Sequence, residues 1–116
     1  MEARAIRKHI RHSPTRMRRV VNVVRGKRVP DALNILTFLP HKATRPIRLT
    51  ILNAVHNLMD QQQESRISEE DLVIREIRVD GGSMFKRMMP ATRGRAFPIL
   101  KRTSHLTVIV GTPEEA

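Results

Sequence analysis

The chain reads as one small domain of mixed secondary structure: a strand, three helices and two closing strands. Three observations carry that expectation. Its 116 residues are too few for two cores but, at 40% apolar, enough for one. Ser13-Pro14 opens a segment in which Met17, Val20, Val21 and Val24 recur at helical spacing. Leu106, Val108 and Val110 alternate with His105, Thr107 and Ile109, the period-two pattern of a strand closed by Gly111.

The remaining elements follow in chain order. Residues 3–11 also alternate, with Ile6, Lys8 and Ile10 opposite Ala5, Arg7, His9 and Arg11, which predicts a half-buried strand. Ser13 is the expected N-cap of the first helix, Pro14 its first residue and Gly26 its stop, with Arg16, Arg18, Arg19 and Arg25 off the apolar face. Lys27-Arg28-Val29 link to a second helix, opened by Pro30 and Asp31 and stopped by Pro40. Its apolar side is Ala32, Leu33, Ile35, Leu36 and Leu39. A third helix carries Ile47, Ile51, Leu52, Ala54, Val55, Leu58 and Met59 and frays into Gln61-Gln62-Gln63. A proline deep inside a helix costs ~3 kcal/mol, so the regular part is expected to begin at Thr44 as N-cap, with Pro46 in the tolerant first turn. The acids of 69–71 read as a solvated turn before a strand over Leu72 to Val79.

Between the last two strands lie residues 80–103, with three glycines, two prolines, two Phe, three Met and six basic groups. Compact domains of this size do not hold structureless loops of that length. As a hairpin, each arm of about twelve residues reaches roughly 40 Å at ~3.3 Å per residue. A compact body of this size has a radius of gyration of only ~13 Å. Such an arm cannot fold back on the body. It needs a partner to lie on.

Charge points to the nature of that partner. Lys and Arg number 22 against 11 Asp and Glu, a formal net charge of +11. Residues 1–28 carry +9, residues 29–80 carry −2 and residues 81–116 carry +4. The acids of the last block are Glu114 and Glu115, so 81–113 is purely basic. Surfaces built for solubility mix signs, and one-sign blocks repel themselves unless a polyanion neutralises them. Nucleic acid is the expected polyanion. A membrane fits less well, because no long amphipathic helix carries the cations and no run of eighteen apolar residues exists. Met1-Glu2-Ala3-Arg4 has no apolar signal region, so export is not expected.

Other function classes are short of residues. The absence of cysteine removes thiol catalysis, disulfides and thiolate metal sites. His9 and His12 have no carboxylate placed to complete a metal set, and Ser104-His105 point to opposite faces of a strand. Arg25-Gly26-Lys27 lacks the other parts of a phosphate-binding loop. An enzyme acting on RNA would have only Asp80 and His105 near the hairpin. Neither a cofactor nor a metal is expected. A helix-turn-helix reading is the weaker one, because the second helix offers only Asp31, Asn34 and Thr37 to base edges. A free-standing nucleic-acid-binding regulator is the alternative class, but it would have little use for so long an arm.

Ser13-Pro14-Thr15-Arg16-Met17-Arg18, with Val20-Val21, Arg25-Gly26-Lys27, Asp31-Ala32-Leu33 and Ile35-Leu36, resembles the N-terminal signature of bacterial-type large-subunit ribosomal protein twenty-two. Lys86-Arg87, Pro90, Arg93-Gly94-Arg95-Ala96 and Lys101-Arg102-Thr103-Ser104-His105 are similar to that family's hairpin and following strand. The likeness spans nearly the whole chain. It implies an α+β fold, three helices packed on a three-stranded antiparallel sheet, with residues 81–103 as a long protruding β-hairpin within one domain. It implies a non-enzymatic protein of the cytoplasmic ribosome that organises large-subunit ribosomal RNA during assembly. In that family the hairpin tip lines the nascent-peptide tunnel near the macrolide site, opposite large-subunit protein four. No homo-oligomer is implied.

Carried over residue by residue, RNA contacts from the body would be Ser13, Arg16, Arg18, Arg19, Arg25, Lys27 and Arg28. Those from the hairpin would be Lys86, Arg87, Arg93, Arg95, Lys101, Arg102, Thr103, Ser104 and His105. Met88, Met89, Pro90, Ala91 and Thr92 would form the tunnel-lining tip. The chain departs from the family where Ala91 and Pro98 replace usual basic residues, and where Pro46 enters a long helix. Arginine outnumbers lysine among these residues, as suits bidentate pairing with phosphate. Gly81, Gly82 and Gly94 are expected to permit left-handed turns or close approach to RNA. Phe85, Phe97 and the methionines either brace the hairpin or pack on bases.

Overall fold

A computed structural model describes residues 2–61, 69–90 and 92–112. Strand β1, Glu2–Ile10, leads into helices α1, Pro14–Val24, α2, Val29–Phe38, and α3, Thr44–Gln61. A 3-10 turn at Glu69–Asp71 precedes strand β2, Val73–Pro90, and strand β3, Ala96–Gly111, closes the fold. The sheet is antiparallel in the order β1-β3-β2, so the last strand in sequence is the middle strand in space. Helix α3 lies across β1 and β3, α1 packs on β2, and α2 packs on α3. The architecture is the expected α+β one.

Helix α1 shows how local sequence fixes an element. Ser13 sits in extended backbone and its Oγ accepts the Arg16 amide at 3.3 Å, a cap that stabilises by about 1 kcal/mol. Pro14 follows at the first helical position, where no amide is needed. Met17, Val20, Val21 and Val24 are all buried, and Gly26 takes φ +74° to end the helix. Each such buried side chain contributes roughly 1.5–3 kcal/mol. Helix α2 begins at Val29, buries Val29, Ala32 and Leu36, and ends before Pro40. The link ahead of it is not free. The Val29 amide donates to the Leu72 carbonyl at 2.9 Å and the Ile74 amide to the Lys27 carbonyl at 3.0 Å, tying residues 27–29 to β2. Thr44 is the first residue of α3 rather than its cap, and its hydroxyl donates to the His41 carbonyl at 2.8 Å. Pro46 falls in the first turn, so the helix runs on unbroken.

Strand β1 corrects the expected facing. Ala3 and Ala5 point into the core, whereas Ile6 is 47% exposed. Ile10 is buried only because the register shifts between Arg7 and Ile10, where His9 adopts φ +59°. This β-bulge sets Lys8 and His9 against the single residue His105, so side chains on its two sides change parity. In β2 a register shift between Ile74 and Glu76 likewise changes parity, so that Ile74, Ile77 and Val79 are all buried. In β3 Leu106, Val108 and Val110 are fully buried as expected, and Thr107 on the other face is buried too.

Beyond Ser104 and Gly81 the two long strands leave the body as a ribbon, paired from Met84–Arg102 out to Pro90–Ala96. Met88 faces Pro98 with no register shift, so the returning arm stays regular despite its missing amide. The chain reverses through Thr92–Gly94, where Arg93 and Gly94 take φ +63° and +69°. Tip residue Ala91 lies outside the described residues, as do Gln62, Gln63, Glu114 and Glu115. The ribbon stretches the molecule to 66 × 25 × 21 Å and its radius of gyration to 17.4 Å, against ~13 Å for a compact body. All of 83–90 and 93–98 is exposed. A two-stranded ribbon open on both faces is marginal in water. In the free protein, amides of 83–90 and 96–100 should therefore exchange within minutes while those of α1 and α3 stay protected. Hydrogen exchange read by mass spectrometry checks this; equal protection of arm and helices would refute it.

Candidate nucleic-acid interface

The arm is anchored by three consecutive side chains of β3. Thr103 is buried and its hydroxyl donates to the Ser83 carbonyl at 2.6 Å. Ser104 is fully buried and donates to the His12 carbonyl at 2.6 Å, holding the segment between β1 and α1. His105 accepts the His9 amide on Nδ1 at 3.2 Å, and the two rings meet edge to face with centroids 5.0 Å apart. Both neighbours of β3 carry a bulge at this level: β1 at Lys8–His9, and β2 between Gly81 and Met84. Bulges bend and twist a strand, and here they mark where the ribbon departs from the sheet. Helix α1 braces the same place. Arg18 donates from Nε and Nη2 to the Val79 carbonyl at 3.3 and 2.9 Å.

These contacts correct two expectations. Thr103 and Ser104 direct their hydroxyls into the protein, so they position the arm instead of presenting those groups to RNA. Gly82 is needed for internal packing: a Cβ there would meet Thr103 Oγ1 at 2.5 Å and the His105 ring at 3.2 Å. Only Gly94 of the three hairpin glycines takes the left-handed backbone.

Around this root the two basic blocks of the sequence converge. A cleft of about 680 Å³ between α1 and the ribbon is lined by Arg11, His12, Ser13, Arg16, Phe85, Arg87, Leu100, Lys101, Arg102 and Thr103. A second, of about 360 Å³, lies between α1 and residues 39–43 and adds Arg19, His41 and Lys42. A third, of about 420 Å³, adds Arg7, Lys8 and Arg45 beside α3. His12 lines all three, and no Asp or Glu lines any of them. Arg75 pairs with Glu2 at 3.3 Å, and Arg78 pairs with Glu76 and Asp80 at 3.3 and 3.6 Å. Among the described residues, the cations of the clefts have no such ion pair. Open, acid-free concavities of this kind concentrate positive potential and draw a polyanion. Nor do three His, Asp or Glu side chains gather anywhere among the described residues in a way that could hold a metal ion.

The structure thus groups Ser13, Arg16, Arg19, Arg87, Lys101 and Arg102 at the root. It leaves Arg25, Lys27 and Arg28 at the other end of α1, about 16 Å away along the helix axis, with Arg28 Nη2 on the Glu70 carbonyl at 2.5 Å. Lys86 lies on the ribbon face opposite Arg87, and Arg93 and Arg95 stand exposed at the turn. Arg7, Lys8, Arg11, Lys42 and Arg45 were not singled out from sequence. Lys42 and Arg45 sit in a segment whose average charge is slightly negative, although 41–48 itself holds no acid.

A small body with an acid-free cationic belt and a rooted, exposed ribbon has the build of a structural RNA-binding protein. Comparison with known proteins agrees. The family model described as ribosomal protein L22p/L17e matches residues 5–111. The large ribosomal subunit protein uL22 of Salinibacter ruber is 53% identical over 116 residues, covering 100% of this chain and 95% of the relative. That of Roseiflexus castenholzii is 48% identical, with 99% of each chain covered. That of Flavobacterium johnsoniae is 44% identical, covering 85% of this chain and 72% of the relative. The chain belongs to the L22p/L17e family of ribosomal proteins: it is a non-enzymatic, structural constituent of the large subunit of the cytoplasmic ribosome.

Two substitutions test the root. Gly82→Ala should destabilise the protein by roughly 1–3 kcal/mol through overpacking against Thr103 and His105. Ser104→Ala should lower stability by about 1–3 kcal/mol by leaving the His12 carbonyl unpaired. Urea denaturation followed by circular dichroism reads both, and unchanged midpoints would remove the anchoring role.

Proposed function

We propose that this chain binds and organises large-subunit ribosomal RNA during assembly through the belt at the arm root, with the arm threaded inward through that RNA. The observation that carries this reading is the meeting of both basic blocks in the cleft between α1 and the ribbon, which, like the two clefts beside it, no carboxylate lines. Guanidinium and ammonium groups on a concave surface recognise phosphates by position, so RNA is read by its folded shape rather than base by base. Arg16, Arg19, Arg87, Lys101 and Arg102 take phosphates at the root, and Arg25, Lys27 and Arg28 form a separate patch for a second RNA segment. Met88, Met89, Pro90, Ala91 and Thr92 reach the wall of the nascent-peptide tunnel near the macrolide site, facing large-subunit protein four. Family membership supports this placement, and so does the length of the ribbon.

Six to ten phosphate contacts would make binding to the naked ribosomal RNA fall ~10³–10⁵-fold between about 50 and 200 mM salt. Replacing Arg16, Lys101 or Arg102 with Gln should each reduce the salt slope by about one. A shallow wild-type slope would sink the electrostatic mechanism. In gently lysed source cells, a tagged copy should sediment with large subunits and resist a high-salt wash; recovery in light fractions or on DNA would instead favour a free regulator. The chain holds no cysteine, so Met88→Cys gives a single site for cross-linking to a peptide stalled in the tunnel. No cross-link from an assembled ribosome would remove the tip from the tunnel wall.

A further inference from the structure

The rungs of the ribbon follow a rule. In four successive pairs, Met84–Arg102, Phe85–Lys101, Lys86–Leu100 and Arg87–Ile99, one member is a cation and the other apolar. The next three, Met88–Pro98, Met89–Phe97 and Pro90–Ala96, carry no charge at all. Arg93 and Arg95 then restore it at the turn. The ribbon is thus cationic, then neutral for three rungs, then cationic again. The neutral rungs are open: Met88 is 66%, Met89 50% and Phe97 57% exposed.

Three rungs span about 10 Å at ~3.3 Å per residue. A nucleic-acid strand carries one phosphate per nucleotide, so a strand lying backbone-down across the collar would set charged phosphates on apolar side chains. Desolvating phosphates against Met and Phe is unfavourable. An RNA held by cations on both sides can cross the collar at low energetic cost only by turning its bases inward. Alternation gives the collar two unlike faces. Met88 and Pro98 share one; Met89 and Phe97 share the other with Phe85 and Arg87, whose guanidinium carbon lies 5.8 Å from the Phe85 ring centre. The second face holds both aromatic rings of the arm.

We propose that the Met89–Phe97 face of the collar is a base-stacking site, taking unpaired nucleobases of the RNA whose phosphates are held by Arg87 on one side and Arg93 and Arg95 on the other. The Met88–Pro98 face is left for the tunnel, so Met88 faces the passage while Met89, at the same level, packs on RNA of its wall. Phe97 supplies the stacking plane and Met89 a polarisable edge beside it. This deepens the RNA-binding reading and rests on it.

Stacking is sequence-tolerant and insensitive to salt, whereas phosphate contacts set the salt slope. The test measures binding of the full chain to naked large-subunit ribosomal RNA across a salt series. Phe97→Leu, which keeps the apolar bulk but removes the ring, should weaken binding about tenfold at every salt concentration with the slope unchanged, and Phe97→Tyr should restore it. Lys101→Gln should do the reverse and change the slope. In assembled subunits, a photoreactive benzoylphenylalanine in place of Phe97 should cross-link to bases. Wild-type affinity in Phe97→Leu, or cross-links only to a protein, would overturn the stacking site while the salt slope of the wild type still upheld RNA binding. A wild-type chain with no salt-dependent binding would instead overturn the reading beneath it.

Discussion

Three neighbouring side chains of the central strand hold two otherwise separate objects, a packed body and a bare ribbon, in one fixed relation. Thr103 fastens the outgoing strand, Ser104 the segment between β1 and α1, and His105 the bulge of β1. All three act on backbone groups, so each bond fixes the path of a chain segment and not merely a side chain. A buried carbonyl left without its donor costs about 1–3 kcal/mol, a large part of the stability of a small domain. The contacts also cross long sequence distances, 92 residues for Ser104 to His12 and 96 for His9 to His105. The root is therefore made only when the whole fold is made, and the direction of the arm is a property of the completed body.

The arginines divide into two kinds of work. Arg18, Arg28, Arg75 and Arg78 face carbonyls or carboxylates of the protein and stiffen it. Those lining the clefts have no acid beside them. Mutual repulsion among the second group is a standing penalty in the free protein, relieved when an anion enters. Placing the unpaired cations next to the arm root means that the strongest field lies where a partner must be gripped if the ribbon is to be aimed.

Much of this was legible in the sequence because it rests on local rules. Ser13, Pro14, the Met17–Val24 stripe and Gly26 define α1 almost residue by residue. The alternation of Leu106, Val108 and Val110 defines the core of β3. What sequence reasoning missed rests on pairing across the chain. The face of β1 was misjudged because a bulge at Lys8–His9 changes parity, and nothing in residues 3–11 alone says where a partner strand will force an extra residue. Thr103 and Ser104 are RNA contacts only by resemblance, as part of the run from Lys101 to His105; their carbonyl partners, Ser83 and His12, lie 20 and 92 residues away. The cleft cations Lys42 and Arg45 escaped notice because block averages hide a short acid-free run.

The strand order has a consequence for the timing of folding. β1 precedes β2 in the chain and β3 follows both, yet β3 separates β1 from β2. Neither outer strand can pair until residues near 100–111 exist, and Glu2 must then find Gly111. Contacts of such high sequence separation close slowly, and until they close the apolar faces of α1 and α3 lack their sheet. During synthesis the basic residues 1–28 therefore emerge well before the strand that completes their sheet and wait without a fold around them. A newborn copy meets its surroundings as a cationic polymer well before it meets them as a shaped protein.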